Sequence, residues 1–302
     1  MPGTRPGMTS EWPSVSASLT EKALAKINLT LRVTGRRADG YHELESLVAF
    51  ADIADTLTLH PGPRTAFAIS GPFAAACGPT ADNLVLKSVA ALRQRVAGIA
   101  AGQFQLEKMI PVAGGVGGGS ADAAAALRLL ARANALAPGE PRLAAAALAV
   151  GADVPVCLDP RPRIMRGVGE ELSPPLALPP LAAVLVNPGI ALPTRDVFKA
   201  FASMVSQHED LGEVPRERDA LIEFLHRHGN DLTRPAVACA PVVGEVLEAL
   251  AKLPSARLAR MSGSGPTCFA LFQSPAEATT AAQQLKSTHD HWWIHAGTIG
   301  GH

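Results

Sequence analysis

The sequence predicts an α+β protein. Three observations carry that reading. Runs that alternate apolar and polar residues crowd the first part of the chain, helical periodicities are interleaved with them, and a fully apolar strand-like run, LAAVLVNPG, opens the second part. A chain of 302 residues suits two domains.

In order, residues 1–18 are rich in Pro, Gly and Ser and are expected to form a disordered lead-in. Residues 22–33 alternate as a half-buried strand, and GRRADGYH follows as a turn. ELESLVAF, DTLTLH and TAFAIS read as three further strands. Residues 83–96 have apolar side chains at helical spacing, and QFQLEKMI alternates again. A glycine loop then leads into a helix expected to start at about Ser120 and to meet no breaker before Pro138. A helix is predicted over 141–150, and the Pro- and Gly-rich stretch over 163–171 suggests a boundary between domains 19–165 and 166–302. After LAAVLVNPG, helices are predicted over 195–206, 216–228 and 241–253. ARLARMSGSGPTCFALF reads as strand, glycine turn, strand; a helix over 275–286 and the strand WWIHAG close the order.

Hydrophobic residues make up 47 % and aromatics 4 %, so the core should be alanine-rich and its helices closely packed. Lys plus Arg equals Asp plus Glu at 27 each, and a neutral chain lacks the footprint of a general nucleic-acid binder. Cys77, Cys157, Cys239 and Cys268 are widely spaced and contain no CxxC pair, which fits buried reduced thiols rather than a zinc site or disulfide framework. No apolar run reaches the ~18 residues that span a bilayer, and the first residues contain no apolar signal region. No membrane association and a cytoplasmic location are therefore expected.

The strongest chemical signal is PVAGGVGGGSADAAA. Five of the six residues from 114 to 119 are glycine. Glycine lets backbone approach a ligand and take positive φ, and a helix starting behind it offers free N–H groups and a positive dipole end. That combination cradles a polyphosphate. The competing reading is a tight structural turn, which rarely needs five glycines. The loop is not Walker A, because no Lys follows the glycines, and it fails the GxGxxG spacing from both possible starts.

The loop resembles motif two of the GHMP kinases. Motif one is matched by AKINLTLRVTGRRADGYHEL at residues 25–44 and motif three by MSGSGPTCFALF at 261–272. GADVP at 151–155, NPG at 187–189, PTRDVF at 193–198 and NDL at 230–232 extend the likeness to most of the chain. The pairing of AKINL…GYHEL with GADVP is similar to the methylerythritol-kinase branch in particular. The resemblance implies an N-terminal domain like ribosomal protein S5 domain 2 and a ferredoxin-like C-terminal domain. It implies ATP and Mg2+ as cofactors and 4-diphosphocytidyl-2-C-methyl-D-erythritol as the small-molecule partner, phosphorylated on its 2-hydroxyl. A monomer or weak dimer is expected.

The resemblance further implies that Asp153 is the base and Lys26 its partner. Phosphoryl transfer needs an aligned acceptor hydroxyl and charge stabilisation around the transferred group. Read alone, Asp153 between apolar segments is an ordinary cap or turn residue, and Lys26 an outward strand residue. Asn28, two residues on, shares a strand face with Lys26 and is placed to bond the acceptor polyol. Tyr41 is implied to stack on cytosine, His42 to hydrogen-bond it and Phe198 to close the sandwich, with Thr194 near a substrate phosphate. Core packing is the alternative for Tyr41 and Phe198. Asn83, Leu84 and Val85 are implied as the adenine wall. Pro111, Val112, Ala113, Gly114, Gly115, Val116, Gly117, Gly118, Gly119, Ser120 and Ala121 would hold the phosphates. Residues 262–265 would form a floor between the two sites or a structural turn. Ala121 stands where the family often has a second serine, so the sequence assigns no magnesium ligand. Two other readings stay open: a GHMP kinase of homoserine or mevalonate type, and a catalytically inactive nucleotide-binding regulator on the same fold.

Overall fold

The structure, a computed structural model, describes residues 17–137, 139–201 and 211–301. Most of the expected lead-in, Pro138 and the tail of the helix predicted over 195–206 lie outside those residues.

The chain starts with β1 (Leu19–Asn28), β2 (Arg32–Arg36), β3 (His42–Gly62) and β4 (Ala66–Ser70), followed by two 3-10 turns (Ala74–Cys77 and Thr80–Asp82). Then come α1 (Leu84–Arg93), β5 (Ala101–Glu107), α2 (Gly118–Ala133), α3 (Pro141–Val150) and α4 (Val154–Leu158). Strands β6 (Arg163–Gly167), β7 (Glu171–Leu172) and β8 (Leu181–Asn187) lead to α5 (Thr194–Phe201), α6 (Arg218–Arg227), α7 (Thr233–Cys239) and α8 (Val242–Ala251). The order ends with β9 (Leu258–Met261), β10 (Cys268–Phe272), α9 (Pro275–Thr288) and β11 (Trp293–Ile299). The predicted α+β class holds.

Strand β3 organises the sheet. It pairs antiparallel with β1, β2, β5 and β6, and meets β11 where Ala51 faces Ile299. From β11 the sheet continues through β8 and β10 to β9, and β4 runs parallel to β5 at the other edge. ELESLVAF and DTLTLH, read as two strands, are one. Residues 51–54 do not turn because both sides hold them: Ala54 stays paired with Leu24, and Asp52 accepts the Thr298 N–H at 2.9 Å. Conversely, the strand read over 22–33 breaks after Asn28. There Leu29 N–H donates to the Leu47 carbonyl at 2.8 Å, and the Ser46 hydroxyl donates to the Thr30 carbonyl at 2.5 Å.

Helix α2 begins two residues before Ser120, with Gly117 as its N-cap, and ends at Ala133. Asn134 stops it. Its side chain exchanges hydrogen bonds with both backbone groups of Ala100, at 2.8 Å each, and Ala135 turns to a left-handed φ of 50°. Ala121, Ala123, Ala124, Ala125 and Ala126 are all buried, as an alanine-rich core requires. Packed against α1, α3, α4 and β1, α2 fixes the first core; β8–β10 with α7, α8 and α9 form a second. Residues 163–172 return to the first part of the sheet, β6 lying along the start of β3.

The four cysteines are free, but the expectation that all are buried fails. Cys157 and Cys268 are buried; Cys239 is exposed at the end of α7, and Cys77 is half-buried.

Candidate active site

Lys26 is buried, not outward-facing: it is 3 % exposed. The register of β1 against β3 shifts between Leu24 and Lys26, an irregularity that re-aims the strand there. Lys26 N–H donates to the Val116 carbonyl of the glycine loop at 2.9 Å. Its Nζ donates to Asp153 Oδ2 and to Asn28 Oδ1, both at 3.0 Å. The shared strand face of Lys26 and Asn28 is thus realised. Asp153 is the N-cap of α4 but makes no capping bond with its side chain. The carboxylate instead faces Lys26 and remains 38 % exposed, open to a ligand on its other side.

The glycine loop supplies the opposite wall. Gly115 and Gly117 take φ of 71° and 61°, and Ala113 takes 54°, a left-handed conformation that is unfavourable for a residue with a Cβ. No side chain caps α2, so its first N–H groups are left for an anion. A Cβ on Gly115 would stand 2.5 Å from the Gly265 carbonyl oxygen, so the two glycine loops touch through bare backbone. Thr267 N–H donates to the Gly114 carbonyl at 3.1 Å. The Ser262 hydroxyl donates to the Gly115 carbonyl at 3.0 Å and accepts from Asn28 N–H at 3.1 Å. Residues 262–265 therefore brace the loop from behind, and Gly263 and Ser264 also reach the cleft wall.

At the far end, the His42 and Phe198 rings stack with centroids 4.9 Å apart and planes 22° from parallel. Tyr41 is 65 % exposed at the rim. Its turn is pinned, because Arg37 N–H donates to the Tyr41 carbonyl at 2.7 Å and the Arg37 side chain is held by Glu170 at 2.6 Å. Burial, with Arg36 nearby, lowers the His42 pKa. The imidazole is therefore neutral at pH 7 and can both donate and accept. Thr194 Oγ1 lies 2.9 Å from Ser264 Oγ.

The Lys26–Asp153 pair, the glycines of the loop and the Tyr41, His42 and Phe198 rings line one cleft of about 980 Å³. The structure brings together Lys26, Asn28, Tyr41, His42, Asn83, Leu84, Pro111, Val112, Ala113, Gly114, Gly115, Gly117, Gly118, Gly119, Ser120, Asp153, Thr194 and Phe198 on its walls. Val85, Val116 and Ala121 are not among the lining residues and are buried in the core. Val85 N–H is moreover taken by Asn83 Oδ1 at 2.9 Å. Sequence reasoning missed Lys108, Asp122, Cys77, Arg36 and Lys199, which also line the cleft. For Lys108 the one signal is nearness in sequence: it stands three residues before Pro111, where the loop motif starts.

Family models agree with this geometry. The model described as GHMP kinases N terminal domain matches residues 83–159, and that described as GHMP kinases C terminal matches 199–291. A 4-diphosphocytidyl-2-C-methyl-D-erythritol kinase of Rhodopseudomonas palustris (strain HaA2) is 53 % identical over 294 residues, covering 94 % of this chain and 99 % of that one. This chain belongs to the 4-diphosphocytidyl-2-C-methyl-D-erythritol kinases of the GHMP superfamily. A second member of that kinase family, from Bradyrhizobium diazoefficiens, is 53 % identical over 292 residues, covering 93 % of this chain and 98 % of that one. A crystal structure of 4-(cytidine 5'-diphospho)-2C-methyl-D-erythritol kinase superposes with a TM-score of 0.74 at 36 % identity, over 94 % of this chain and all of that one. A homoserine kinase from Cytophaga hutchinsonii has a TM-score of 0.73 at 17 % identity, over 95 % of this chain and 96 % of that one, and shares the fold alone.

Proposed function

We propose that the protein transfers the γ-phosphoryl group of ATP to the 2-hydroxyl of 4-diphosphocytidyl-2-C-methyl-D-erythritol, a step of the methylerythritol phosphate route to isoprenoid precursors. The observation that carries the reading is the Lys26–Asp153 pair, which faces a cleft lined on one side by the glycine loop and on the other by the Tyr41, His42 and Phe198 rings.

Asp153 accepts the proton of the acceptor hydroxyl as its oxygen bonds to the γ-phosphorus and the bond to ADP breaks. Lys26, oriented by Asn28, holds the Asp153 carboxylate in place and offsets charge that grows on the transferred group. The N–H groups at the start of α2 hold the phosphates, and Asn83 and Leu84 flank the base. Tyr41 stacks on cytosine beside the His42–Phe198 pair, and neutral His42 bonds its edge. Among the described residues no group of three or more His, Cys, Asp or Glu stands together as a metal cage. A Mg2+ ion brought by the nucleotide would offset phosphate charge beside the N–H groups that start α2.

ADP release should be measured with 4-diphosphocytidyl-2-C-methyl-D-erythritol, homoserine and mevalonate as acceptors. Turnover on the first and none on the other two is expected. Turnover on homoserine or mevalonate alone would reject the substrate, and none on any acceptor would favour an inactive regulator.

A further inference from the structure

A buried charged cluster behind the glycine loop is not used by the chemistry above. Lys108 leaves the end of β5 and is 3 % exposed. Its Nζ donates to Asp55 Oδ2 at 2.5 Å and to Asp122 Oδ2 at 2.7 Å. Asp55 belongs to β3 and is fully buried; Asp122 sits early in α2 and is 3 % exposed. The other oxygen of Asp55 accepts from Met109 N–H at 2.6 Å and Ile110 N–H at 2.9 Å, so it grips the backbone entering the loop. A Cβ on Gly118 would stand 3.1 Å from Lys108 Nζ, and one on Gly117 would stand 3.1 Å from Lys26 carbons. Two lysines therefore flank the end of the loop. Lys26 has one carboxylate partner and Lys108 has two.

Two ionised carboxylates on one ammonium would leave a net negative charge behind a site for a polyanion. Asp122 Oδ1 is buried without a hydrogen-bond partner, and Asp122 lines the cleft. An unpartnered anionic oxygen in such surroundings costs far more than a neutral carboxyl. Burial above all, opposed by Lys108 and reinforced by Asp55, lifts the Asp122 carboxyl to about 7. The groups that face it are Lys108, Asp55 and the thiols of Cys77 and Cys157. Burial works against the Lys108 charge, but the two carboxylates outweigh it and hold the ammonium above its usual range. Burial raises the Cys77 thiol and pushes Cys157 up to about 12, so both stay protonated at neutral pH.

We propose that Asp122 is a proton-linked positioning residue for the nucleotide, which acts through Lys108 on the glycine loop and takes up a proton when the phosphates arrive. The inference rests on the loop being the phosphate site. Added negative charge favours the protonated carboxyl, so by linkage protonation favours binding. Affinity is full below the Asp122 value of the free protein and falls as pH rises through it.

The test is calorimetric titration with ADP and Mg2+ from about pH 6 to about pH 9, in buffer pairs of different ionisation enthalpy, for wild type and Asp122→Asn. Wild type should take up a proton at about pH 7.5, where the nucleotide's own phosphates are already ionised. Its affinity should fall by up to about tenfold per pH unit above neutrality. Asp122→Asn, which imitates the protonated side chain, should bind without proton uptake and with a flat profile once the nucleotide's own titration is divided out. Binding with no proton uptake by wild type, or identical profiles for the two proteins, would overturn the inference while leaving the loop reading intact. No ADP binding by folded wild type would overturn both. If Asp122→Asn does not fold, the wild-type proton count decides alone.

Discussion

At the scale of single residues, the site depends on side chains whose chemistry was legible but whose surroundings were not. Lys26 and Asp153 are far apart in sequence, and their 3.0 Å contact exists because β1 and the α2–α4 helices pack together. Sequence pattern made Lys26 an outward strand residue, because alternation reports which residues are polar and not which are paired. Asp153→Asn should keep nucleotide binding and lower turnover by about 10²–10⁴-fold, the usual cost of losing a general base. Single-turnover kinetics with separate ADP titration would check this, and near-wild-type turnover would remove Asp153 from the role. Tyr41 is legible for a simpler reason: it is the one tyrosine of the chain and stands in GYHEL. At 65 % exposure it contributes little to the core, so Tyr41→Ala should leave the melting temperature almost unchanged. It should cost about 1–3 kcal/mol of base stacking, about ten- to a hundredfold in kcat/KM for the cytidine acceptor. An equal loss with an acceptor lacking the nucleotide would mean that the ring acts elsewhere.

At the scale of elements, the glycine loop was readable as strand, loop, helix, and the structure adds what the glycines are avoiding. Gly117 was identified as a point of close phosphate approach; its missing Cβ also leaves room for the Lys26 side chain. Gly117→Val should therefore move Lys26 as well as crowd the phosphates. The expected result is a folded protein with raised KM for ATP and kcat lowered by about a hundredfold, the scale of a misplaced catalytic group. A rise in KM with unchanged kcat would separate the loop from the catalytic pair. Strand limits are what local sequence pattern records least well. β3 runs through residues 51–54 because partners on both sides keep it extended, and no local pattern records a partner. The Asp55–Lys108–Asp122 cluster was invisible for the same reason. Its members lie in unrelated segments, and each alone reads as a surface charge.

At the scale of the whole molecule, the two glycine loops lock the parts of the chain around the cleft. Ser262 is the bridge, since its hydroxyl serves both Asn28 N–H on β1 and the Gly115 carbonyl on the phosphate loop. Ser262→Ala leaves two buried backbone groups unpaired and should destabilise by about 1–3 kcal/mol for each one left unsatisfied. Denaturant melts with parallel kinetics would check it; loss of stability without any loss of kcat would mean that the bridge does not position the site. The α+β class and the motif order were legible because periodicity and glycine spacing are local. The joining of the halves through Ala51 and Ile299 was not, because it is a contact between distant strands. If one cleft serves both substrates, phosphate goes to a single hydroxyl of a cytidine diphosphate acceptor. Phosphorus NMR of the product from 4-diphosphocytidyl-2-C-methyl-D-erythritol and ATP tests it most directly. One new phosphate monoester is expected, coupled to no proton because the 2-carbon bears none, beside an intact diphosphate. A phosphate that shows coupling to a neighbouring CH or CH₂, or growth of the diphosphate chain, would contradict it.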